Sequence, residues 1–261
     1  MGVLSATALA YVASGFGVGL LVGMTGVGGG SLMTPLLVLL FGIKVSSAVG
    51  TDLLFAAATK AVGVVVHGRG GSIDWQITRR LATGSLPAAA ATIWVLHATR
   101  QNGQPISPIL TATLGGALIV TAICLLGRRW IDRFVAARGA KPLLKSPAAA
   151  TIATGAIVGV LVTATSVGAG AIGMTALVLL YPRVPLPKLV GSDIAHAVPL
   201  TLLAGAGYWF LGVINWPLLG SLLVGSIPGI IVGSRLATRA PDWVLRPILA
   251  AVLLIVGIRM L

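Results

Sequence analysis

The chain has 261 residues, of which 57% are hydrophobic and 9% are charged, and its mean hydropathy is +1.03. This composition excludes an ordinary water-soluble domain and predicts a protein that lies within a lipid bilayer. The formal charge of +13 does not indicate nucleic-acid binding, because the chain offers no soluble basic face for a phosphate backbone.

The apolar stretches are continuous, which predicts an all-α polytopic membrane protein rather than the alternating strands of a barrel. In chain order we predict helices near residues 4–24, 31–43, 46–66, 75–98 and 107–127, then a second set near 148–165, 171–181, 188–211, 216–236 and 243–260. The short second helix of each set need not cross the bilayer, so we expect about eight to ten full crossings. No signal-peptide cleavage pattern follows the first apolar run, and we expect that helix to stay.

The two sets of helices share sequence. Residues 19–40 read GLLVGMTGVGGGSLMTPLLVLL and residues 159–180 read GVLVTATSVGAGAIGMTALVLL, an offset of 140. Val49-Gly50-Thr51-Asp52 returns as Val190-Gly191-Ser192-Asp193 at an offset of 141. This spacing predicts an internal duplication, with a first membrane repeat at 1–127, a basic cytoplasmic linker at 128–147 and a second membrane repeat at 148–261.

The basic residues predict how the repeats are oriented. Eleven of the eighteen Lys and Arg residues lie in three segments, namely Arg69 to Arg80, Arg128 to Lys145, and Arg235 with Arg239. Short basic segments face the cytoplasm in membrane proteins. Counting crossings away from the linker places the Arg69 turn inside and the equivalent turn before Trp216 outside. The sequence therefore predicts an inverted repeat with glycine-broken helices at its centre, an arrangement common in secondary transporters.

Two acidic residues stand inside apolar helices. The chain has no Glu, and of its five Asp residues only Asp52 and Asp193 lie in predicted membrane helices, each after Thr51 or Ser192 in the repeated motif. An ionised carboxylate in mid-bilayer costs at least about 2.5 kcal/mol, so such a residue indicates a functional polar centre. The structural alternative is that each Asp, with its hydroxyl neighbour, caps a helix start or closes a break.

Two further ionisable residues share these helices. His196 follows Asp193 by three residues and so projects from the same face, where an imidazole beside a carboxylate could pass protons. A buried His bonded to a carbonyl is the alternative, and Phe55 occupies the equivalent place in the first repeat. Lys60 could pair with a carboxylate, attract an anion or extend towards the membrane surface.

Each repeat also contains a glycine-rich break before its short helix. Glycines let the chain leave helical geometry, and free amides at a helix start bind anions. The alternative is close helix packing through small residues, which we expect for Gly15, Gly19 and Gly23. The predicted substrate-binding residues are Thr25, Gly28, Gly29, Gly30, Ser31, Thr51 and Asp52 of the first repeat and Ser166, Gly168, Ala169, Gly170, Ala171, Ser192 and Asp193 of the second. Asp52, Asp193 and His196 are the predicted proton-coupling residues.

The sequence does not favour an enzyme or a cofactor-binding protein. The spacing of Gly26, Gly28 and Asp52 is similar to a dinucleotide-binding fingerprint, but that motif requires a strand of a soluble sheet. No nucleophile constellation is present, the three His residues are scattered, and Cys124 is alone. We expect no catalytic residue, no cofactor and no metal. The expected partners are a small anionic solute and membrane lipid, with a homodimer as a compatible assembly and no nucleic acid.

At these motifs the chain resembles the TauE/SafE family of sulfite exporters and organosulfonate permeases. The resemblance rests on Gly23-x-x-Gly26-x-Gly28-Gly29-Gly30-x-Leu32-x-x-Pro35-x-Leu37, on Gly50-Thr51-Asp52, and on the weaker copies at Val167 to Gly170 and Gly191 to Asp193. It implies a multi-pass protein of the bacterial inner membrane that transports a small sulfur-containing anion, driven by an ion gradient. The second copy departs from the motif at Ala169 and at Thr175, which replaces the proline.

The expected function is therefore a secondary anion transporter in which protonation of the acids permits loading. An anion channel or passive pore that uses the same broken helices is the main alternative. An intramembrane enzyme or an assembly subunit is a third class, which the missing nucleophile disfavours.

Overall fold

The computed structural model describes residues 6–25, 30–69, 71–137, 146–236 and 242–261, and the described residues form helices and turns without a strand. The helices are α1 (Ala6–Thr25), α2 (Gly30–Phe41), α3 (Val45–Arg69), α4 (Trp75–Gln101), α5 (Ser107–Ala137), α6 (Ala148–Thr165), α7 (Met174–Leu180), α8 (Leu186–Phe210), α9 (Trp216–Leu236) and α10 (Asp242–Met260). A π-helical segment, Ala169–Gly173, leads directly into α7. The predicted all-helical class is confirmed.

Most helices begin and end within about three residues of the sequence prediction, but α5 does not. It was expected to end near residue 127 and continues to Ala137, well into the predicted linker. Its last ten residues contain neither Gly nor Pro, and an ion pair between Arg128 and Asp132 at 3.2 Å joins successive turns. A helix of 31 residues is about 46 Å long, which exceeds the roughly 30 Å hydrocarbon layer, so α5 extends beyond it.

Small residues let two pairs of parallel helices pack at backbone distance. Gly15 of α1 faces Leu222 of α9, and Gly19 faces Ser226 one turn further on. The same contacts recur between α6 and α4, where Gly155 and Gly159 face the backbone of residues 81 and 85. The expected packing role of Gly15 and Gly19 is thereby confirmed. The side-chain surroundings of Gly23 lie outside the described residues.

Equivalent helices of the two repeats run antiparallel where they pack. Gly50 of α3 contacts Tyr208 near the end of α8, whereas Leu54 contacts Gly205, so the helices run in opposite directions. In α5 and α10, Gly115 contacts Leu261 and Ile119 contacts Gly257, again in opposite order. In both pairs, a helix of the first repeat thus packs against the equivalent helix of the second repeat.

Within the described residues, five helices are long and apolar enough to cross a membrane: Trp75–Gln101, Ser107–Ala137, Ala148–Thr165, Leu186–Phe210 and Trp216–Gly233. Shorter apolar helices include Thr7–Leu21 and Leu249–Met260. These helices make the chain a multi-pass membrane protein.

Candidate functional site

The Asp52 carboxyl group lies at the contact between α3 and α2. Its side chain is fully buried, and the Thr34 hydroxyl of α2 donates a 2.5 Å hydrogen bond to its Oδ2 atom. The Ser166 hydroxyl, which follows α6, also interacts with this carboxyl group. Among the described residues neither Asp52 Oδ1 nor Ser166 Oγ has a hydrogen-bond partner of normal geometry. Asp52 therefore retains unfilled hydrogen-bonding capacity next to the second-repeat break.

Asp193 has the equivalent position in α8 but different neighbours. Its side chain is 5% exposed, and a Cβ atom placed on Gly173 would lie 3.0 Å from its Oδ1 atom. Met174, the equivalent of Thr34, has no hydroxyl to donate. Asp193 Oδ1 has no hydrogen-bond partner within the described ranges. Buried polar atoms without partners are rare in proteins and mark places where a proton, water or solute can be bound.

The break between α6 and α7 contacts both acids. Ser166 adopts φ +60° and Gly168 adopts φ +110°, a sharp turn at which a glycine carries no steric cost. The Thr165 hydroxyl accepts a 3.1 Å bond from the Val167 amide and so closes the turn. Ser166 stands at the start of this break beside Asp52, and Gly173 stands at its end beside Asp193. The structure thus brings one acid from each repeat to a single interruption of the chain.

This break also supplies backbone donors. Gly168, Ala169, Gly170 and Ala171 open the π-helical segment, and the first amides of a helix have no acceptor within the helix. Three of these four residues are buried, with Gly170 partly exposed. In the first repeat, Gly28 and Gly29 lie outside the described residues. Thr25 ends α1, and Gly30 and Ser31 begin α2.

His196 and Lys60 join the site from two helices. The His196 Nε2 atom lies 2.7 Å from the Ser85 hydroxyl of α4, and its Nδ1 atom has no partner in the part of the chain that the structure describes. His196 is therefore bonded to a hydroxyl rather than to a carbonyl. The Lys60 ammonium is within electrostatic range of Asp52, Asp193 and His196. These four side chains form the ionisable cluster of the site.

Thr51 and Ser192 bind turns of the opposite repeat. The Asn215 amide donates a 3.2 Å bond to the Thr51 hydroxyl, and the Asp74 amide donates a 2.8 Å bond to the Ser192 hydroxyl. Ser192 in turn donates to the Lys188 carbonyl at 2.7 Å. These equivalent bonds fix the turns before α9 and α4. Asp74 caps a helix start, because its Oδ1 atom accepts from the first-turn amides of α4, whereas Asp52 and Asp193 lie inside α3 and α8.

Sequence reasoning did not single out Thr34 or Ser85 as site residues. Ser85 carries a usable signal, because the Gly84-Ser85-Leu86-Pro87 motif returns as Gly225-Ser226-Ile227-Pro228. Thr34 carries none, since a threonine in an apolar helix is common and the repeat has Met174 there.

The family model described as "Sulfite exporter TauE/SafE" matches residues 11–260. The chain belongs to the TauE/SafE family. A TauE/SafE protein of this kind is a membrane transporter and not an enzyme, in agreement with the names of its relatives.

This TauE/SafE protein is similar to membrane transporter proteins of Bacillus subtilis and Xylella fastidiosa. It is 37% identical to the probable membrane transporter protein YjnA of Bacillus subtilis over 254 residues, which cover 97% of this chain and 99% of the relative. It is 27% identical to the B. subtilis protein YdhB, with 88% and 91% covered. A probable membrane transporter of Xylella fastidiosa is 25% identical, with 87% and 84% covered. No solved structure matches the chain at a significant level.

Proposed function

We propose that this TauE/SafE protein carries a small sulfur-containing anion, such as sulfite or an organosulfonate, across the bacterial inner membrane, driven by a proton or ion gradient. The observation that carries the proposal is that the break from Ser166 to Gly173 lies beside Asp52 at its start and beside Asp193 at its end. Unpaired amides at a helix start bind an anion, and buried carboxyls repel it unless they are protonated. The same site can therefore bind an anion through its amides and couple that binding to protonation of its carboxyls.

In this proposal the amides of Gly168 to Ala171, and of the equivalent start of α2, hold the anion. Protonation of Asp52 and Asp193 permits loading, and deprotonation favours release. Thr51 and Ser192 each already accept an amide hydrogen from the opposite repeat, so they hold the turns that fix the acid-bearing helices.

We infer further that the two repeats are inverted in the membrane. A two-fold axis along the membrane normal keeps equivalent helices parallel, whereas an axis in the membrane plane reverses them. The antiparallel packing of α3 on α8, and of α5 on α10, supports the second arrangement. Inverted repeats with broken helices near the midplane are a frequent plan of secondary transporters.

The test is uptake by proteoliposomes of sulfite, thiosulfate, sulfoacetate and sulfate at two pH values. We expect saturable uptake of at least one of these anions that increases when the acids are protonated. Asp52→Asn and Asp193→Asn should each remove the pH dependence and lower uptake about tenfold or more, which corresponds to losing about 1.4 kcal/mol of coupling.

Asp132→Asn is the matched control, because Asp132 lies on the exposed extension of α5 and pairs only with Arg128. Its uptake should equal that of the unaltered protein. Unchanged pH-dependent flux in both buried-acid variants would contradict the proposed coupling. Flux that fails to saturate would favour a passive pore instead.

A further inference from the structure

Lys60 is the basic member of the ionisable cluster. Its side chain is partly buried within α3, and within the described residues it forms no direct salt bridge. It nevertheless interacts electrostatically with Asp193, Asp52 and His196. A charge held inside the membrane without a bonded counter-ion is costly and marks an ion pathway or an ion site.

The packing of α3 on α8 places Lys60 between the two acids. Because Gly50 faces Tyr208 and Leu54 faces Gly205, Lys60 falls opposite residues 198–199 of α8. At 1.5 Å per residue, this level is roughly 8 Å along the helix axis from Asp193. Asp52 lies on the other side of Lys60, about 12 Å along α3. Lys60 thus lies, along the helix axis, at a level between Asp52 and Asp193.

The position of Lys60 excludes the snorkelling explanation. The packing register places Lys60 opposite residues 198–199, which are the middle of α8 (Leu186–Phe210), a helix long and apolar enough to cross a membrane. Either end of α8 is about 18 Å away, which is longer than an extended lysine side chain. The ammonium group therefore stays at the depth of the middle part of α8.

The charges of the cluster explain how Lys60 can interact with the carboxyls when they are ionised and with an anion when they are protonated. With both carboxyls ionised and His196 neutral, two negative charges face one positive charge, and an entering anion is repelled. With both carboxyls protonated, the ammonium is the only full charge of the cluster and has no counter-ion. A monovalent anion then restores neutrality. The groups that face Lys60 in this scheme are Asp52 on its own helix and Asp193 and His196 on α8.

We propose that Lys60 is the residue that binds the transported anion, and that Asp52 and Asp193 act as its counter-ions when the site is empty. This rests on the proposed transport of a small anion. The acids and the solute therefore compete for one ammonium group. Protonation of the acids leaves that ammonium group free to bind the solute.

The experiment compares Lys60→Met, Lys60→Arg and the control Lys44→Met, using sulfite binding to purified protein by calorimetry and sulfite uptake by proteoliposomes. Lys44 is exposed in the turn between α2 and α3, so its loss should change neither measurement. Removing one partner of a buried charge pair typically weakens binding by about 30-fold or more, and we expect that loss for Lys60→Met. Lys60→Arg keeps the charge and should retain most of the binding.

Thr201 occupies the position equivalent to Lys60 in the second repeat. Lys60→Thr therefore copies a residue that this fold already accepts, and it replaces Lys60→Met if that variant does not fold. Sulfite binding by a folded, uncharged variant with unchanged affinity would overturn the role of Lys60. A folded Lys60→Arg variant that binds as weakly as Lys60→Met would also overturn it, because charge would then not be the property that matters.

The two proposals fail in different ways. If the unaltered protein transports none of the four anions, the proposed function fails. If it transports sulfite and Lys60→Met does so equally well, only the role of Lys60 fails.

Discussion

The two buried acids are equivalent in sequence but not in their hydrogen bonds. Thr34 donates to Asp52, whereas Asp193 has Gly173 and Met174 at the corresponding contact. The ionisable neighbours differ as well, since His196 corresponds to Phe55 and Lys60 corresponds to Thr201. The two acids therefore have equivalent sequence positions and chemically different neighbours. An asymmetric site of this kind can bind its solute and its protons in different halves.

The Thr34 hydroxyl should contribute measurably to stability. Thr34→Val removes the donor to a buried carboxyl and leaves Asp52 Oδ2 without that bond. We expect the free energy of unfolding in detergent to fall by about 1–3 kcal/mol, as is usual when a buried polar atom loses its partner. Thermal unfolding of the purified protein measures the change.

Thr163→Val is the control for this prediction. The Thr163 hydroxyl is buried and has no partner among the described residues, so its replacement by a methyl group should be neutral or stabilising. Equal destabilisation by the two substitutions would show that the bond to Asp52 contributes nothing.

At the scale of helices, packing in two places depends on the absence of a side chain. A Cβ atom on Gly225 of α9 would overlap the carbonyl oxygen of Val12 in α1. A Cβ atom on Gly84 of α4 would likewise overlap the carbonyl oxygen of Ile152 in α6. Backbone atoms cannot rotate away as a flexible side chain can, so each substitution would force the helices apart.

Gly225→Ala and Gly84→Ala should each destabilise the protein by about 1–3 kcal/mol, the usual cost of overpacking a tight contact. Gly220→Ala is the matched control on α9, because a Cβ atom there meets nothing within 4 Å. Unfolding in detergent is the measurement. Alanine is also the better helix former, so Gly220→Ala should be neutral or stabilising. If Gly225→Ala destabilised the protein no more than Gly220→Ala does, the close α1–α9 contact would be contradicted.

The helices themselves could be predicted from sequence because continuous apolar runs and the repeat mark them independently. The end of α5 could not, since basic residues after a membrane span indicate the cytoplasm and not the end of a helix. Which helices pack against each other could not be predicted from the sequence either. Gly15 and Gly19 indicate that α1 packs closely, but a stripe of small residues does not identify α9 as the neighbour.

The same limit applies to the site. Asp52 and Asp193 could be found because a carboxyl in an apolar helix is costly and the motif is repeated. Ser166 could be predicted as part of the break, but its contact with Asp52 depends on how α6 packs near α3. Thr34 left no signal, because nothing in its own helix distinguishes a threonine that bonds a carboxyl from one that bonds its own backbone.

At the scale of the whole molecule, the contacts place the described ends of α3, α5 and α9 on one face. α3 runs antiparallel to α8, and α9 reverses α8 after a short turn, so α3 and α9 end on the same side. Arg69 ends α3, and Arg235 lies beside the end of α9. α4 and α5 each reverse direction in turn, which brings the end of α5, with Arg128, Arg129 and Arg133, to that side too. The positive-inside rule predicts that this face lies towards the cytoplasm.

Equivalent residues of an inverted repeat lie on opposite sides of the membrane. The side on which each residue is accessible can be measured with two cysteine variants. Gln76 and Pro217 are both exposed, lie in the first turns of α4 and α9, and are related by the repeat offset of 141 residues. In a Cys124→Ala background, which removes the native thiol, we expect Gln76→Cys to react with an impermeant maleimide only in inside-out vesicles. Pro217→Cys should react only in intact cells, where the maleimide reaches the opposite face of the membrane. A parallel repeat would expose both cysteines on the same side, because a two-fold axis along the membrane normal leaves the direction of every equivalent helix unchanged.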